Sequence, residues 1–320
     1  EMSTAGVTPL WERVASHSPN GAQQPRIWPW DQLAPLIAKA VRATGMDVAE
    51  RRVLTLADPD LSRQATPRVT PDLNAGIQIL MPGESARPHR HTANALRFVI
   101  EGSGARTMVD GKSCAMERGD LILTPGWTWH EHVNEGDQRV TWLDVLDVPL
   151  IQYLNLNLFE PGPARNLPET VEDSAFTVPG VVPDRHNASP RHSPLFRYSW
   201  SKVSPALDAM PASDDGSRSL RYTNPLTGGA VMTLLDCYLL RFGRTPTRRR
   251  RVSGSAVCFA ATGAGRSTIG DTEIAWTKND VFTIPHWVWV SHQAVSDDAT
   301  LFLVTDDEVL RRLDLWREDA

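Results

Sequence analysis

Three histidines are spaced so that they could share one metal ion. His89 and His91 stand two apart in Pro88-His-Arg-His, and His130 follows Pro125-Gly-Trp-Thr-Trp on a separate apolar run. On a β-strand, residues two apart point to the same face, so the pair would present both imidazoles together. Three neutral imidazoles converging from two strands suit Fe, Zn, Cu or Ni. Two strand histidines on a solvated face would be the plainer explanation of the pair alone. That explanation leaves out His130 and the glycine frame formed by Gly83, Gly102 and Gly119.

The elements that must hold these residues read as short strands. Leu73–Met81, Ala95–Ile100, Leu121–Thr124 and Val140–Leu146 are apolar runs broken by Gly and Pro, and Asp110-Gly111 is a hairpin signal. Short strands at this spacing suggest a small antiparallel barrel. Ahead of them, residues 1–30 read as an irregular arm rich in Pro, Ser and Gln. Asp31 can cap a helix with Leu33, Leu36, Ile37, Ala40 and Val41 on one face, and residues 51–57 read as a strand. Residues 155–216, with many prolines and the unpaired His186 and His192, read as a surface linker. Asp306–Trp316 reads as an amphipathic final helix with acids in its first turn.

The chain repeats itself. Phe259-Ala-Ala-Thr-Gly263-Ala-Gly265 echoes Phe98-Val-Ile-Glu-Gly102-Ser-Gly104, and Asn279–Trp289 echoes Gly119–Trp129. One unit is therefore duplicated. In register, the second copy has Arg250 for His89, Val252 for His91 and Val290 for His130. Only His292 survives, opposite His132. The expected divisions are 1–72 for the arm and helix, 73–154 for the metal-binding barrel, 155–216 for the linker and 217–320 for the degenerate barrel.

A chain of 320 residues can bury a proper core. Its net charge of −5 gives no nucleic-acid footprint. No apolar run reaches the length of a membrane span, so no membrane partner is expected. Cys114, Cys237 and Cys258 are scattered, with no close pair. Buried free thiols in a reducing cytoplasm are the expectation, and no basic-then-apolar signal pattern argues otherwise.

At His89, His91, His130 and the glycines around them, the chain resembles the cupin superfamily. The resemblance implies an all-β bicupin: two jelly-roll barrels with an N-terminal arm and a few flanking helices. Many cupins add a glutamate ligand shortly after the His-x-His pair, where this chain has Ala95 and Leu96. A narrower resemblance lies in His89–Phe98, Thr124–His132, Trp142–Pro149 and Tyr222–Gly229. These stretches look like the gentisate 1,2-dioxygenase family, which includes salicylate, 1-hydroxy-2-naphthoate and 5-nitrosalicylate dioxygenases.

What the resemblance implies is specific. Fe(II) on His89, His91 and His130 would keep open positions for a small aromatic 2-hydroxy acid and O2. The ring would open between its carboxyl- and hydroxyl-bearing carbons, and the protein would be a homotetramer. Gentisate or another 5-substituted salicylate such as 5-nitrosalicylate is the expected substrate, with salicylate or 1-hydroxy-2-naphthoate as the alternative. His132 is a candidate base or donor to O2, and Arg97 a bidentate partner of the substrate carboxylate. An ion pair with Asp144 is the rival role for Arg97. Asp144 would join His132 and Arg97 in the catalytic set, and Gly76, Gln78 and Asn74 would line the substrate pocket. Arg51 or Arg52 would add a carboxylate contact, and Arg52 is taken as that residue. Where some salicylate-cleaving relatives carry an aromatic residue, Asn74 would favour a polar ring substituent. A ligand-binding bicupin without catalysis and a manganese oxalate decarboxylase are the readings from other classes. The first predicts a lost ligand, and the second needs the missing glutamate.

Overall fold

A computed structural model describes residues 23–61, 67–162, 172–184 and 191–320. The expected arm before residue 23 and His186 lie outside these residues. Two β-barrels of one design stand side by side, in keeping with a bicupin. In the first, one sheet runs Arg197–Tyr198, Leu121–Thr124, Ala95–Glu101, Val140–Leu146, Asn74–Leu80, Val53–Leu56. Facing it, the second sheet runs Phe159–Pro161, Ser85–His91, His130–Asn134, Ser103–Val109, Lys112–Glu117. These ladders are antiparallel.

Side-chain alternation sets the faces. Along His130–Asn134 the first, third and fifth residues are buried, so His130, His132 and Asn134 point inward while Glu131 and Val133 point outward. Asp110 and Gly111 both take positive φ (44° and 84°), as a type I′ hairpin requires, and join Ser103–Val109 to Lys112–Glu117. The strands Ala95–Glu101 and Val140–Leu146 are buried on both faces because the second barrel packs behind them. The Phe98 and Phe302 rings stack at 4.3 Å, and Phe98 meets its repeat equivalent Phe259 at 5.3 Å. Each such ring pair adds about 0.5–1.5 kcal/mol beyond its buried area.

The first barrel draws on more of the chain than its strongest strands. Val53–Leu56 pairs with Asn74–Leu80 ahead of residue 73. Within the stretch read as a linker, Phe159–Pro161 covers the edge of Ser85–His91, and Arg197–Tyr198 covers Leu121–Thr124. Exposed sheet edges invite unwanted pairing, and these short strands close them. A helix at Trp200–Ala209 follows. The final helix is shorter than expected, Asp307–Arg312, with Asp307 and Glu308 in its first turn. The chain then doubles back, and Glu318–Asp319 pairs with Arg251–Val252. Among the described residues, no helix is long and apolar enough to cross a membrane.

The N-terminal helix runs from Trp30 to Ala43, and Asp31 lies in its first turn without capping it. Instead the Trp30 N–H donates to Asp280 Oδ1 of the second barrel at 2.7 Å. Beside this helix, Ile27–Trp28 pairs with Val281–Phe282. Asp280 thus serves as a cap supplied from a distance. Asp280→Ala should lower stability by about 1–2 kcal/mol, read as a fall in melting temperature, with turnover per bound metal unchanged.

Candidate metal centre and active site

His89 and His91 stand on the strand Ser85–His91, and His130 opens the strand that pairs with it, directly opposite His89. Their ring centroids lie 4.2 to 5.7 Å apart. One ligand atom from each lies within 4.8 Å of the others. The backbone fixes how each ring is protonated. His89 Nδ1 meets the Arg87 carbonyl at 2.9 Å, His91 Nδ1 the Ala93 carbonyl at 2.8 Å, and His130 Nδ1 the Thr128 carbonyl at 3.0 Å. A carbonyl only accepts, so each Nδ1 carries the hydrogen and each Nε2 is left a bare lone pair. Metal-binding histidines are oriented in just this way. His130 Nε2 is buried with no hydrogen-bond partner. Burial pushes the imidazoles down, His89 to about 3, His91 to about 4, and His130 well below its usual value. Three neutral, converging donors of this kind fit a divalent transition metal.

The turn before His130 is held under strain. Trp127 has φ 67°, rare for a bulky residue, and its N–H donates to the His91 carbonyl at 2.7 Å. That bond ties the strand bearing one ligand to the loop delivering another.

Beside the histidines lies a cavity of about 380 Å³. Asn74, Gly76, Gln78, Arg97, His132 and Asp144 all line it with His89 and His91, so the structure gathers these expected residues in one place. Arg97 and Asp144 face each other across neighbouring strands, and Gly76 flanks Asp144 on the other side. Arg97 Nε is 3.0 Å from Asp144 Oδ1, close enough for an ion pair, although the N–H is not aimed for a hydrogen bond. Arg97 also donates to Thr124 Oγ1, and Trp142 Nε1 donates to Asp144 Oδ2 at 3.1 Å. Burial raises the Asp144 carboxyl against the downward pull of Arg97. Removing one member of such a buried pair typically costs about 3–5 kcal/mol.

His132 Nδ1 meets Thr107 Oγ1 at 2.9 Å, which leaves its Nε2 buried and without a partner. Asn74 Oδ1 and Gln78 Nε2 are likewise buried and unpaired. Gly76 has no room for a side chain, since a Cβ there would come within 2.8 Å of Val53 Cγ1.

Arg52 differs from expectation. Its guanidinium turns away from the cavity to Glu84 and the Thr44 carbonyl, all at 2.8–2.9 Å. The side chains of Arg51 and Arg52 leave the chain in opposite directions, and it is Arg51 that lines the cavity, its Nη1 2.9 Å from His89 Nε2. Phe159 stacks on His89 at 5.4 Å and lies under Arg51 at 5.1 Å. It went unforeseen because it sits on a three-residue strand with no periodic signal. His192, outside this site, bonds the Ser193 carbonyl and packs near Phe196.

Comparison with known proteins places these features. A cupin domain matches residues 76–146. The 5-aminosalicylate 1,2-dioxygenase of a Comamonas species is 35% identical, covering 100% of this chain and 88% of that protein. A Streptomyces gentisate 1,2-dioxygenase is 36% identical, covering 99% of this chain and 93% of that one. The crystal structure of a salicylate 1,2-dioxygenase from Pseudoaminobacter salicylatoxidans in adducts with gentisate superposes with a TM-score of 0.90 at 33% identity. It covers 99% of this chain and 91% of that one.

The histidine burial sets a pH dependence. In the unfolded chain these imidazoles take up a proton near about pH 6.5. In the fold His89 does so only at about 3 and His91 at about 4. Below the unfolded value, the unfolded state therefore binds more protons, and folding weakens as pH falls. Chelator-treated protein should lose melting temperature steadily from about pH 6.5 to about pH 4, and His89→Gln should reduce that slope. A melting temperature that rises on acidification across this interval would contradict neutral, buried imidazoles.

Proposed function

Because the chain belongs to the gentisate 1,2-dioxygenase family and is a ring-cleaving dioxygenase, we propose that it is an Fe(II) enzyme acting with O2 on gentisate or a like 2-hydroxybenzoate. The ring would open between the carboxyl- and hydroxyl-bearing carbons. The observation that carries this reading is three imidazoles with hydrogen-free Nε2 atoms converging beside a cavity whose unpaired groups suit a hydroxybenzoate. His89, His91 and His130 would hold the ion, which would supply open coordination positions and a path for electrons from ring to O2.

The chain's own groups then divide the work. Arg97 takes the substrate carboxylate, and Asp144 and Thr124 hold its guanidinium in place. Arg51 adds positive charge on the same wall. His132 Nε2 accepts or returns the proton of the substrate hydroxyl, with Thr107 fixing the ring. Asn74 Oδ1 and Gln78 Nε2 offer one acceptor and one donor. A ring hydroxyl both donates and accepts and so answers both, whereas a nitro group only accepts and an unsubstituted ring answers neither. The preferred substituent is therefore the 5-hydroxyl, with 5-amino next.

The assembly reading is a homotetramer in the cytoplasm. An exposed apolar run supports association: Tyr153, Leu154, Leu156, Leu158 and Phe159 are each at least half exposed. Light scattering should give the mass of four chains, and a monomer mass would count against it.

Metal analysis with O2 uptake on gentisate, 5-aminosalicylate, 5-nitrosalicylate, salicylate and 1-hydroxy-2-naphthoate tests the function. Iron with gentisate in front by about tenfold or more is the expected result, and iron-independent turnover would overturn it. Arg97→Lys should keep iron and fold but lose about ten- to a hundredfold in kcat/KM on every substrate, since lysine lacks the two-pronged geometry. If Arg97 only pairs with Asp144, the melting temperature will fall and kcat/KM per iron will not.

A further inference from the structure

The second barrel has its own cavity, about 280 Å³, where the first barrel holds its histidines. The pairing sets the equivalence. Arg250 bridges Val290 as His89 pairs with His130, and Ser267 lies opposite His292 as Thr107 lies opposite His132. The hydroxyl–imidazole bond recurs as well, 2.8 Å between Ser267 Oγ and His292 Nδ1.

The arginine run beside it separates into different roles. Arg251 repeats Arg90. Each lies over two tryptophan rings, Arg90 on Trp127 and Trp129, Arg251 on Trp287 and Trp289. Each also holds an edge-strand carboxylate, Glu160 or Asp319. Arg250 has no such counterpart. It stands in a ligand position, and the carboxylate it faces, Glu318, is 3.7 Å away, beyond hydrogen-bond reach.

Polar groups with unfilled capacity surround the space. Trp276 Nε1 donates to the wholly buried Ser267 Oγ at 3.0 Å, so the serine's own proton goes to His292 Nδ1. His292 then carries its hydrogen on Nε2, as a neutral donor. Trp316 Nε1 and Asp307 Oδ1, the latter on a side chain only 7% exposed, are both buried; the indole faces the Asp307 carboxyl, though neither atom makes a well-formed hydrogen bond. Ile284, Val288, Val290 and Leu303 make an apolar wall. The volume lies just below the usual range for ligand pockets, about 300–1,000 Å³, and suits one small ring.

We propose that this cavity binds a small hydroxy acid with an apolar, ring-sized body. Its carboxylate sits on Arg250 and His292 Nε2–H, and its hydroxyl lies between Asp307 Oδ1 and Trp316 Nε1, which face each other without a well-formed hydrogen bond. The site is distinct from the metal centre and does not depend on what that centre catalyses.

Anaerobic calorimetric titration of the metal-loaded protein with salicylate tests this. Two sites per chain are expected. Arg250→Gln, at a side chain 59% exposed and therefore safe for folding, should weaken one of them by about tenfold or more. Val288→Trp, which fills the cavity from its rim, should remove the same site. Turnover per metal should be unchanged in both variants. A single site that neither substitution moves overturns the proposal, as do two sites indifferent to both. A single site lost in Arg250→Gln would sustain it and count against the catalytic reading instead.

Discussion

Three imidazole nitrogens with bare lone pairs face one another in a nearly dry space, and the rest of the first barrel is arranged around that fact. The lone pairs are imposed by three backbone carbonyls, each two residues from its histidine, which take the Nδ1 hydrogens. His130 Nε2 is buried without a partner, and such an acceptor costs about 1–3 kcal/mol, which the packed barrel around the strands must offset. Burial also keeps protons off these rings in the neutral range, where a proton would otherwise compete with a metal ion. Arg51, reaching to His89 Nε2, meets the same electron pair that a metal would take.

The duplication shows which features belong to the scaffold and which to the chemistry. A tryptophan at positive φ after the Pro-x turn occurs in both copies, Trp127 and Trp287, and in both its N–H reaches back to the facing strand. The hydroxyl–histidine bond and the arginine stacked on two tryptophans also occur twice. Those features therefore belong to the barrel's design in both copies, and in the first copy the hydroxyl–histidine bond also orients His132 at the cavity. What sets the first copy apart is narrower: imidazoles at three positions, and the buried pair of Arg97 with Asp144. In the second copy the same positions hold Arg250, Val252 and Val290, which cannot bind a metal, though with its neighbours Arg250 can still grip an anion.

Much of this was legible in the sequence because barrel strands alternate and ligands two apart share a face. The His-x-His pair, His130 and the repeat register could be read from spacing alone. Arg97 does reach the cavity, but even spacing from His91 does not explain it, because a turn separates Ser85–His91 from Ala95–Glu101 and the two strands belong to different sheets. Other features were hidden for physical reasons. Arg51 and Arg52 lie at a strand's entry, where direction depends on backbone turns that sequence does not reveal, and Arg52 found Glu84 instead of the cavity. Phe159 and Arg197–Tyr198 lie in two- and three-residue edge strands, too short for any period. The helix cap at Trp30 comes from Asp280, a partner far along the chain that no local motif predicts.

Isotopically labelled dioxygen gives the most direct test. Metal-loaded protein turned over with gentisate under labelled O2 should place both labelled atoms in the ring-opened product, with iron bound in a one-to-one ratio to the chain. Incorporation of no labelled atom, or of a single one when the exchangeable keto oxygen is trapped by reduction at once, would contradict a ring-cleaving dioxygenase built on His89, His91 and His130.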